Sequence, residues 1–464
     1  MNSKNSVKVP SKQVKIQFFS RNFPVANAFG NSTYVLDFLQ YLRQVDFDVE
    51  FILLNVLPNG RTPWYIIPSE LAKIAKFSVR NHVRIGRLIV SISIFNWVIE
   101  LVRYIYNQLP VRLKNIYRRS RDEKNITPRY IVPYIPWDIP ATPEEIEYIN
   151  SRIQHNQPDV VITNYAYLSN VLAECNFDKN VLKLILTHDI RHQRASLFKK
   201  LKIDAFEEGW SKENEQIALQ KADVLLAIQK EEAKILHEMA PKCKVICTPL
   251  SATCKSHIIS QVPGRCLFVG SHVDHNYYGL QWFLKNVWAK VLQLHPESSL
   301  HICGNVNDLI KESFPNVVFL GKVEDIKPEY SAAEVCLIPL LAGSGLKIKL
   351  VEAMSYGRAC VSTSVGIQGL SDIAGKTVLV TDTADNFASS VVQLLTNTNQ
   401  RKYMEHEAYK YVKENFSPHS VYQPFIDYIY QHYTIKTALV ERASRTASHL
   451  TNNRQPSQSH PNLF

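Results

Sequence analysis

Short apolar runs alternate along the chain with longer segments in which apolar residues recur at helical spacing. Strands that alternate with helices in this way form parallel sheets covered on both faces. The pattern therefore predicts an α/β protein with two doubly wound parallel sheets. The predicted strands of the first half are 16–19, 49–54, 159–163, 184–187, 224–228 and 245–247, and those of the second half are 266–269, 300–303, 317–320, 335–338, 359–362 and 378–380.

A polar segment at 251–264 separates the two series and ends in Pro263 and Gly264, residues that favour turns and linkers. The chain has 464 residues, whereas a single hydrophobic core stops growing at ~250–300 residues. Two domains are therefore predicted. The predicted boundaries are a disordered N-terminus at 1–13, an N-terminal domain at 14–250 with a basic insertion at 60–150, a linker at 251–264, a C-terminal domain at 265–416, a helix at 417–435 that crosses back to the first domain, and a flexible polar tail at 436–464.

Positive charge is concentrated in one segment of the chain. The net charge is +11, and residues 71–124 contain twelve Lys or Arg and three acidic residues. Concentrated charge favours an anionic partner such as a lipid surface or a polyphosphate, and the alternative is a basic face in contact with solvent alone. An anionic membrane surface is the predicted partner of 71–124, and no nucleic acid is expected to bind.

An apolar stretch at 88–99 lies inside this basic segment and contains Phe95 and Trp97. Arg87 and Arg103 flank it, which is typical of a segment that lies in a membrane interface. The stretch is too short to span a bilayer, because a crossing helix needs ~20 mostly apolar residues. The alternative is a helical insertion packed against the N-terminal domain.

The cysteines and the N-terminus favour a reducing compartment. The eight cysteines lack the short paired spacing of structural zinc sites, so we expect free thiols and no metal. Residues 1–17 are polar and basic without the apolar core of a secretory signal. The expected location is the cytoplasm, with peripheral attachment to the inner face of the membrane if the basic segment binds lipid.

The strongest chemical signal is a buried strand, a small-residue turn and a helix between 334 and 357. Open α/β sheets bind ligands at such turns. Ser344 is expected to cap the helix, and the backbone N–H groups of Gly345 and Leu346 would then face an anion. Lys347 is predicted in the first turn, where a cation opposes the helix dipole unless an anion such as a phosphate binds nearby.

Lys349 and Glu352 share one face of the predicted helix with Gly345, because each residue advances by 100°. A carboxylate can accept hydrogen bonds from the two hydroxyls of a ribose while a lysine contacts a diphosphate. The spacing therefore predicts a nucleoside diphosphate site. The alternative is a Lys349–Glu352 ion pair without a ligand.

The run 343–370, which begins Gly-Ser-Gly-Leu-Lys-Ile-Lys-Leu-Val-Glu, resembles the donor-binding signature of the family-4 retaining glycosyltransferases. The stretch 267–283 is similar to the same family, and Gly270, Ser271 and Asn276 are its expected donor contacts. The resemblance implies the GT-B fold, in which two Rossmann-like domains enclose a cleft. It also implies that a sugar is transferred with retention from a nucleotide-sugar donor, without a cofactor or a divalent metal.

Two departures from the family pattern bear on this site. Ser344 stands where the first glutamate of a Glu-x7-Glu motif is expected, so that Glu352 alone remains. The basic residues expected after the strand that ends at Gly270 are also missing. Lys347 and Lys349 are expected to take over the contacts with the diphosphate.

In the N-terminal domain, Gly30 and Asn31 occupy the place of the family's glycine-rich turn, where the backbone approaches donor phosphate and acceptor. His188 and Asp189 follow the predicted strand 184–187. Together with Lys347, they are the predicted catalytic residues. For His188, a buried histidine with a structural role is the alternative.

The sequence thus predicts a hexosyltransferase-like retaining enzyme of polysaccharide biosynthesis that acts on a glycan or a lipid-linked sugar. Two alternatives remain open. The missing glutamate and basic residues favour a non-catalytic nucleotide-sugar-binding protein, and a sugar-nucleotide epimerase is the neighbouring activity on the same fold. Slow hydrolysis of the donor would distinguish an enzyme from a binding protein.

Overall fold

The computed structural model describes residues 13–25, 30–54, 62–108, 139–200, 210–255, 260–342 and 346–433. These residues form two α/β domains, each built on one parallel sheet. The predicted tail at 436–464 and nearly all of the predicted disordered segment 1–13 lie outside the described residues.

The N-terminal domain is built on a seven-stranded sheet with the order β10-β9-β8-β7-β1-β2-β4, in which all paired strands are parallel. Its elements are β1 (Lys15–Ser20), α1 (Gly30–Gln44), β2 (Asp48–Leu53), β3 (Trp64–Ile66), α2 (Ser69–Ile74), β4 (Lys76–Val79), β5 (His82–Ile85), β6 (Leu88–Ser91), α3 (Ile94–Gln108), α4 (Pro143–His155), β7 (Val160–Asn164), α5 (Asn170–Glu174), β8 (Leu182–Leu186), α6 (Arg191–Lys200), α7 (Lys212–Leu219), β9 (Val224–Ala227), α8 (Lys230–Met239) and β10 (Lys244–Cys247). The central strand β1 buries Phe18 in one core cluster and Phe19 in another. Burial on both faces explains why two consecutive phenylalanines in this strand are both in the core.

The C-terminal domain has a six-stranded parallel sheet with the order β13-β12-β11-β14-β15-β16. Its elements are β11 (Arg265–Val269), α9 (Asp274–Asn286), α10 (Trp288–Leu294), β12 (Ser299–Cys303), β13 (Val317–Gly321), α11 (Lys327–Ala332), β14 (Val335–Ile338), α12 (Ile348–Ser355), β15 (Ala359–Ser362), β16 (Val378–Val380), α13 (Ala384–Thr396) and α14 (Thr398–Asn415). Both sheets are doubly wound, since the strand order reverses at a central strand of each. The predicted fold class is confirmed.

A last helix at 418–433, here α15, returns to the N-terminal domain. Its Tyr422 and Phe425 rings lie 5.4 Å from the ring of Phe38 in α1. The Tyr422 hydroxyl donates to Asp37 Oδ2 at 2.5 Å. The two domains are therefore joined twice, by the chain around residue 250 and by this helix.

The predicted basic insertion at 60–150 is only partly an insertion. Strands β3, β6 and β5 form a separate antiparallel sheet, but β4 pairs with β2 in the main sheet. The α4 side chains Ile149 and Ile153 also belong to the main core. The predicted apolar segment 88–99 is divided between strand β6 and the start of helix α3, which corrects its interpretation as one interfacial stretch.

No helix in the part of the chain that the structure describes is long and apolar enough to cross a membrane.

Candidate active site

A cavity of about 810 Å³ lies between the two domains. Its walls come from the carboxyl end of β11, the segment after β13 and the start of α12, and from α1 and α6 of the other domain. Ligands of open α/β sheets bind at this end of the strands. The predicted donor residues that line the cavity are Gly270, Ser271, Asn276, Leu346, Lys347, Lys349 and Glu352.

Helix α12 begins later than the sequence predicted. It starts at Ile348, and Lys347 is its N-cap with φ −82° and ψ 82°. Lys347 therefore stands at the position predicted for Ser344, but its side chain makes no capping hydrogen bond. Ser344 and Gly345 lie outside the described residues. Because its backbone is not helical, Lys347 precedes the first turn, and its carbonyl accepts the N–H of Leu350 at 2.8 Å.

The Lys347 side chain is buried, and its Nζ donates to Gln368 Oε1 at 3.3 Å. Burial lowers the pKa of Lys347 to about 8, while the charges of Glu232 and Asp189 oppose this shift and that of Arg194 adds to it. A buried cation with a lowered pKa gains from a nearby anion. Lys347 therefore suits contact with a phosphate.

Lys349 lies one residue into α12 and donates to Asn276 Oδ1 from α9. Its Nζ also lies 5.0 Å from the centre of the Phe268 ring. Burial, followed by the charge of Lys347, lowers the pKa of Lys349 to about 7. Near neutral pH, this lysine is thus poised to gain a proton when an anion binds.

Glu352 follows on the same helix, and its Oε2 accepts the hydroxyl of Tyr330 at 3.0 Å. Tyr330 stacks on Tyr356 with ring centroids 4.6 Å apart. Burial raises the pKa of Glu352 above its ordinary value, and the hydrogen bond from Tyr330 opposes the shift. Lys349 is hydrogen-bonded to Asn276, and Glu352 is hydrogen-bonded to Tyr330. The structure therefore does not support the alternative of a Lys349–Glu352 ion pair.

At the carboxyl end of β11, two glycines let neighbouring turns pack closely. Gly304 has φ +103°, and a Cβ there would come within 2.1 Å of the Gly270 carbonyl oxygen. A side chain at Gly304 is therefore excluded by both conformation and space. Asn276 Nδ2 donates to the Ser271 carbonyl at 3.0 Å, which fixes the turn beside Lys349.

The cavity also contains residues that sequence reasoning missed, among them Arg194, Lys255 and His275. Burial, with the charges of Lys349, Lys347 and Arg194, lowers the pKa of His275 to about 3, so it is neutral near pH 7. Lys255 was part of the predicted linker, and Arg194 was one of several charges in a polar stretch. Their placement depends on how the two domains meet, which no local pattern indicates.

His188 and Asp189 are both buried, and neither lines the cavity. His188 Nε2 lies 2.7 Å from Asn164 Oδ1, and its ring stacks on Tyr165 at 4.0 Å. Burial lowers the pKa of His188 to about 4, and the charge of Asp189 opposes this only in part. Asp189 Oδ2 accepts Arg194 Nη1 at 2.7 Å. The catalytic roles of His188, Asp189 and Lys347 stay predictions.

Gly30 and Asn31 open helix α1. Asn31 Nδ2 donates to the Tyr165 hydroxyl at 2.8 Å, and Tyr165 has φ +72°. Asn31 is thereby hydrogen-bonded to the stack of rings that contains His188. The preceding residues 26–29 lie outside the described residues, so the predicted glycine-rich turn itself stays a prediction.

Across the described ranges, no group of three or more His, Cys, Asp or Glu side chains is placed to hold a metal ion. The prediction that transfer needs no metal was made from the sequence and stays a prediction.

Comparisons with known proteins agree with this architecture. Residues 263–397 match the family Glycosyl transferases group 1. An "Uncharacterized 44.6 kDa protein in cps region" of Klebsiella pneumoniae is 25% identical, over 57% of this chain and 72% of its own length. The family match includes the described donor residues from Gly270 to Glu352.

Solved structures with the same fold extend the similarity to both domains. Sucrose-phosphate synthase from Thermosynechococcus elongatus has a TM-score of 0.58 at 15% identity, over 94% of this chain and 100% of its own. A mutant of S. aureus TarM in complex with fondaparinux, alpha-GlcNAc-glycerol and UDP has a TM-score of 0.61 at 10% identity, over 90% of this chain and 100% of its own. At these identities the likeness shows the fold.

Residues 263–397 thus match a glycosyltransferase domain, and the chain as a whole has the GT-B fold, in which two Rossmann-like domains enclose the cavity described above.

Proposed function

We propose that the protein transfers a sugar from a nucleotide-sugar donor to a glycan or a lipid-linked sugar, with retention of configuration. The observation that carries this proposal is a single cavity lined by the buried Lys347 and by the partly buried Lys349 and Glu352. Burial lowers the pKa of both lysines, and a bound anion favours their charged form. A nucleoside diphosphate supplies both the anion for the lysines and vicinal hydroxyls for Glu352.

In this proposal Lys347 and Lys349 contact the diphosphate, and Glu352 accepts the ribose hydroxyls. Negative charge grows on the diphosphate as the bond to the sugar breaks, and fixed cations in a desolvated site stabilise that charge. No divalent metal takes part. Retention of configuration rests on the resemblance of 343–370 to the retaining family, and the UDP in the TarM complex supports a nucleoside diphosphate ligand.

A panel of nucleotide sugars in a thermal-shift assay tests the proposal. A ligand at 100 times its Kd stabilises the folded protein by about 2.7 kcal/mol, so the true donor is expected to raise Tm clearly. Donor hydrolysis and the anomeric configuration of the transferred sugar are then followed by NMR. Failure of the whole panel to raise Tm would contradict the proposal.

The same assay separates the two alternatives. A protein that only binds nucleotide sugars would raise its Tm with one donor and never hydrolyse it. An epimerase would convert the donor into an isomer with no acceptor present. The proposed polysaccharide acceptor is supported by the relative in a cps region, and transfer to isolated glycans or lipid-linked sugars tests it.

We further propose that helix α3 places the enzyme at an anionic membrane surface, on the cytoplasmic side. No side chain of α3 is buried against the described residues. Its eight exposed large apolar side chains are Ile94 79%, Phe95 50%, Trp97 44%, Val98 50%, Leu101 58%, Val102 59%, Tyr104 62% and Ile105 53%. Single exposed apolar residues are normal on a protein surface, but eight on one helix form a contiguous apolar surface of the kind that marks an interaction site.

The polar and apolar residues of α3 are distributed as in a helix that lies in the plane of a membrane interface. At 100° per residue, Asn96, Glu100, Arg103 and Asn107 share one side, and the large apolar residues cover the rest of the circumference. The adjacent β5–β6 turn adds basic residues, since Arg84 and Arg87 flank Gly86. Anionic lipid complements this charge at about 1 kcal/mol per Lys or Arg. The strongly basic remainder of the predicted membrane segment 71–124, after 108, lies outside the described residues.

Leu101→Glu is expected to lower the fraction of protein that floats with anionic vesicles about tenfold, because it removes ~1.5–3 kcal/mol of apolar burial and adds a repelled charge. Asn107→Glu, which adds the same charge on the polar side, is the matched control and is expected to have a much smaller effect. Wild-type protein should float less with neutral vesicles and less at high salt.

Two outcomes would overturn membrane docking. One is wild-type protein that stays at the bottom of the gradient with anionic vesicles at low salt. The other is a dimer by light scattering that Leu101→Glu converts to a monomer, because α3 would then be covered by a second copy of the chain.

A further inference from the structure

On the N-terminal side of the cavity, α6 supplies a cation. Arg194 lies in the first turns of α6, directly after the carboxyl end of β8, and it lines the cavity with Thr33 and Asp37 of α1. Its side chain is 32% exposed, whereas the carboxylate that accepts its Nη1 at 2.7 Å, Asp189, is 6% exposed. Asp189 thus helps to hold the guanidinium at the cavity wall.

Arg194 faces cations of the other domain. Its charge contributes to the lowered pKa of Lys347, after burial, and to that of His275, after burial and the charges of Lys349 and Lys347. The nearby carboxylates Asp189 and Glu232 oppose the shift at Lys347. Two domains that present like charges to one cavity gain stability when an anion lies between them.

Asp189 remains ionised beside this arginine. Burial alone would raise its pKa, but the charges of Arg194 and Arg191 bring the pKa of Asp189 below its ordinary value. An ionised, buried carboxylate holds a guanidinium in one orientation, and five N–H donors let an arginine contact a carboxylate and a phosphate at once. This arrangement gives Asp189 a role in positioning and leaves contact with a ligand to Arg194.

We propose that Arg194 is the contact of the N-terminal domain with the donor diphosphate, and that Asp189 is its positioning residue. The inference rests on the proposed function, since it assigns a further contact in the same donor site. The sequence-based prediction gave His188 and Asp189 catalytic roles, whereas this inference gives Asp189 a positioning role and adds Arg194 to the donor contacts. The diphosphate is then held between cations of both domains.

The test compares ligands that differ in the diphosphate alone. UDP, ADP and GDP are titrated by calorimetry beside uridine, adenosine and guanosine, and the pair that binds wild-type protein best is carried forward. Arg194→Gln is expected to lower the affinity for the diphosphate about tenfold and to leave that for the nucleoside within about twofold. Arg194→Lys should restore part of the loss, and Asp189→Asn should cause a smaller loss of the same kind.

Two controls separate charge from folding. Lys212→Gln removes an exposed positive charge from α7 outside the cavity and is expected to bind as wild type does. Because Arg194→Gln leaves a buried carboxylate without this ion pair, the double variant Asp189→Asn with Arg194→Gln is compared with it by thermal unfolding. A diphosphate-specific loss in a double variant that unfolds like wild type supports a direct contact.

The possible results distinguish this inference from the proposed function. If wild-type protein and Arg194→Gln bind a diphosphate equally well, the proposed role of Arg194 is wrong and the proposed function is unaffected. Equal losses for nucleoside and diphosphate indicate a packing role and overturn it too. If only the KM for an anionic acceptor changes, Arg194 binds the acceptor and the inference is wrong. No binding of any diphosphate to wild-type protein contradicts both.

Discussion

Lys349→Met is expected to lower the affinity for the nucleoside diphosphate about 100-fold, because a hydrogen bond to a charged group contributes ~1.5–3 kcal/mol and each 1.4 kcal/mol is tenfold. The affinity for the nucleoside should stay within about twofold of wild type, because Lys349 contacts the phosphates alone in our proposal. Tm should be unchanged or higher, because an apolar side chain replaces a partly buried charge that packs on the Phe268 ring. Calorimetric titration and thermal unfolding measure these effects.

Lys285→Met is a matched control for Lys349→Met. Lys285→Met removes a lysine from α9 that is half exposed and paired with Glu312 at 3.1 Å, so it should leave both affinities unchanged. If Lys349→Met weakens the nucleoside as much as the diphosphate, the residue supports the packing of α12 instead of binding phosphate.

The pH dependence gives a second check on Lys349. Its pKa is about 7 in the free protein, and a bound diphosphate raises it, so binding takes up a proton above pH 7. The affinity for a nucleotide sugar, whose phosphates do not titrate near neutrality, is therefore highest below pH 7. It should fall by up to about tenfold per pH unit as pH rises through 7, and Lys349→Met should remove most of that slope.

The same lowered pKa predicts how stability changes with pH. In the unfolded chain Lys349 returns to its ordinary value of 10.5. Between pH 7 and 10.5 the unfolded state therefore binds more protons at this residue, so its destabilising effect is complete below pH 7 and fades as pH rises. The gain in Tm from Lys349→Met should accordingly be largest near pH 6 and smallest near pH 10.

The C-terminal domain shows how much the sequence can reveal. Its predicted strands are formed nearly as predicted, and the central strands β14 and β15 are short apolar runs buried on both faces of a parallel sheet. The donor helix was placed correctly, but its start was wrong by several residues. Ser344 is a good cap by residue type, yet the backbone turns into the helix only after Lys347, a conformation that residue preferences do not decide.

The contacts of the site were harder to predict than its residues. Helical spacing placed Lys349 and Glu352 on one face and left an ion pair between them as an alternative. Their actual partners, Asn276 and Tyr330, come from α9 and α11. Partners separated by many residues along the chain are fixed by tertiary packing, so the 3.6-residue period carries no information about them.

The insertion illustrates a different limit. Composition identified a segment that is both basic and apolar. The pattern of apolar residues could not separate strand β6 from helix α3, because the two elements follow each other as one apolar run. In the N-terminal domain, His188 and Asp189 were chosen because they follow a strand. The structure buries both residues, and neither lines the cavity, since residues at a strand end face the cavity or the core according to the local turn.

Glu352→Gln is expected to lower the affinity for the nucleoside and the nucleoside diphosphate alike, by about 30-fold, because the charged acceptor of two ribose hydroxyls becomes a neutral amide. The fold should be preserved, since the amide oxygen can still accept the hydrogen bond from Tyr330. Tm should be unchanged or higher, because burial raises the pKa of this carboxyl and thus disfavours its charge.

Ligands that lack one ribose hydroxyl make the Glu352 test specific. Wild-type protein should bind the 2′-deoxynucleoside diphosphate about tenfold more weakly than the ribonucleoside diphosphate, because one hydrogen bond to a carboxylate is lost. Glu352→Gln should discriminate much less between the two ligands. Tyr330→Phe, which keeps the carboxylate and removes its neighbour's hydroxyl, should retain the discrimination. If Glu352→Gln discriminates as strongly as wild type does, Glu352 does not contact the ribose, and another residue of the cavity must bind these hydroxyls.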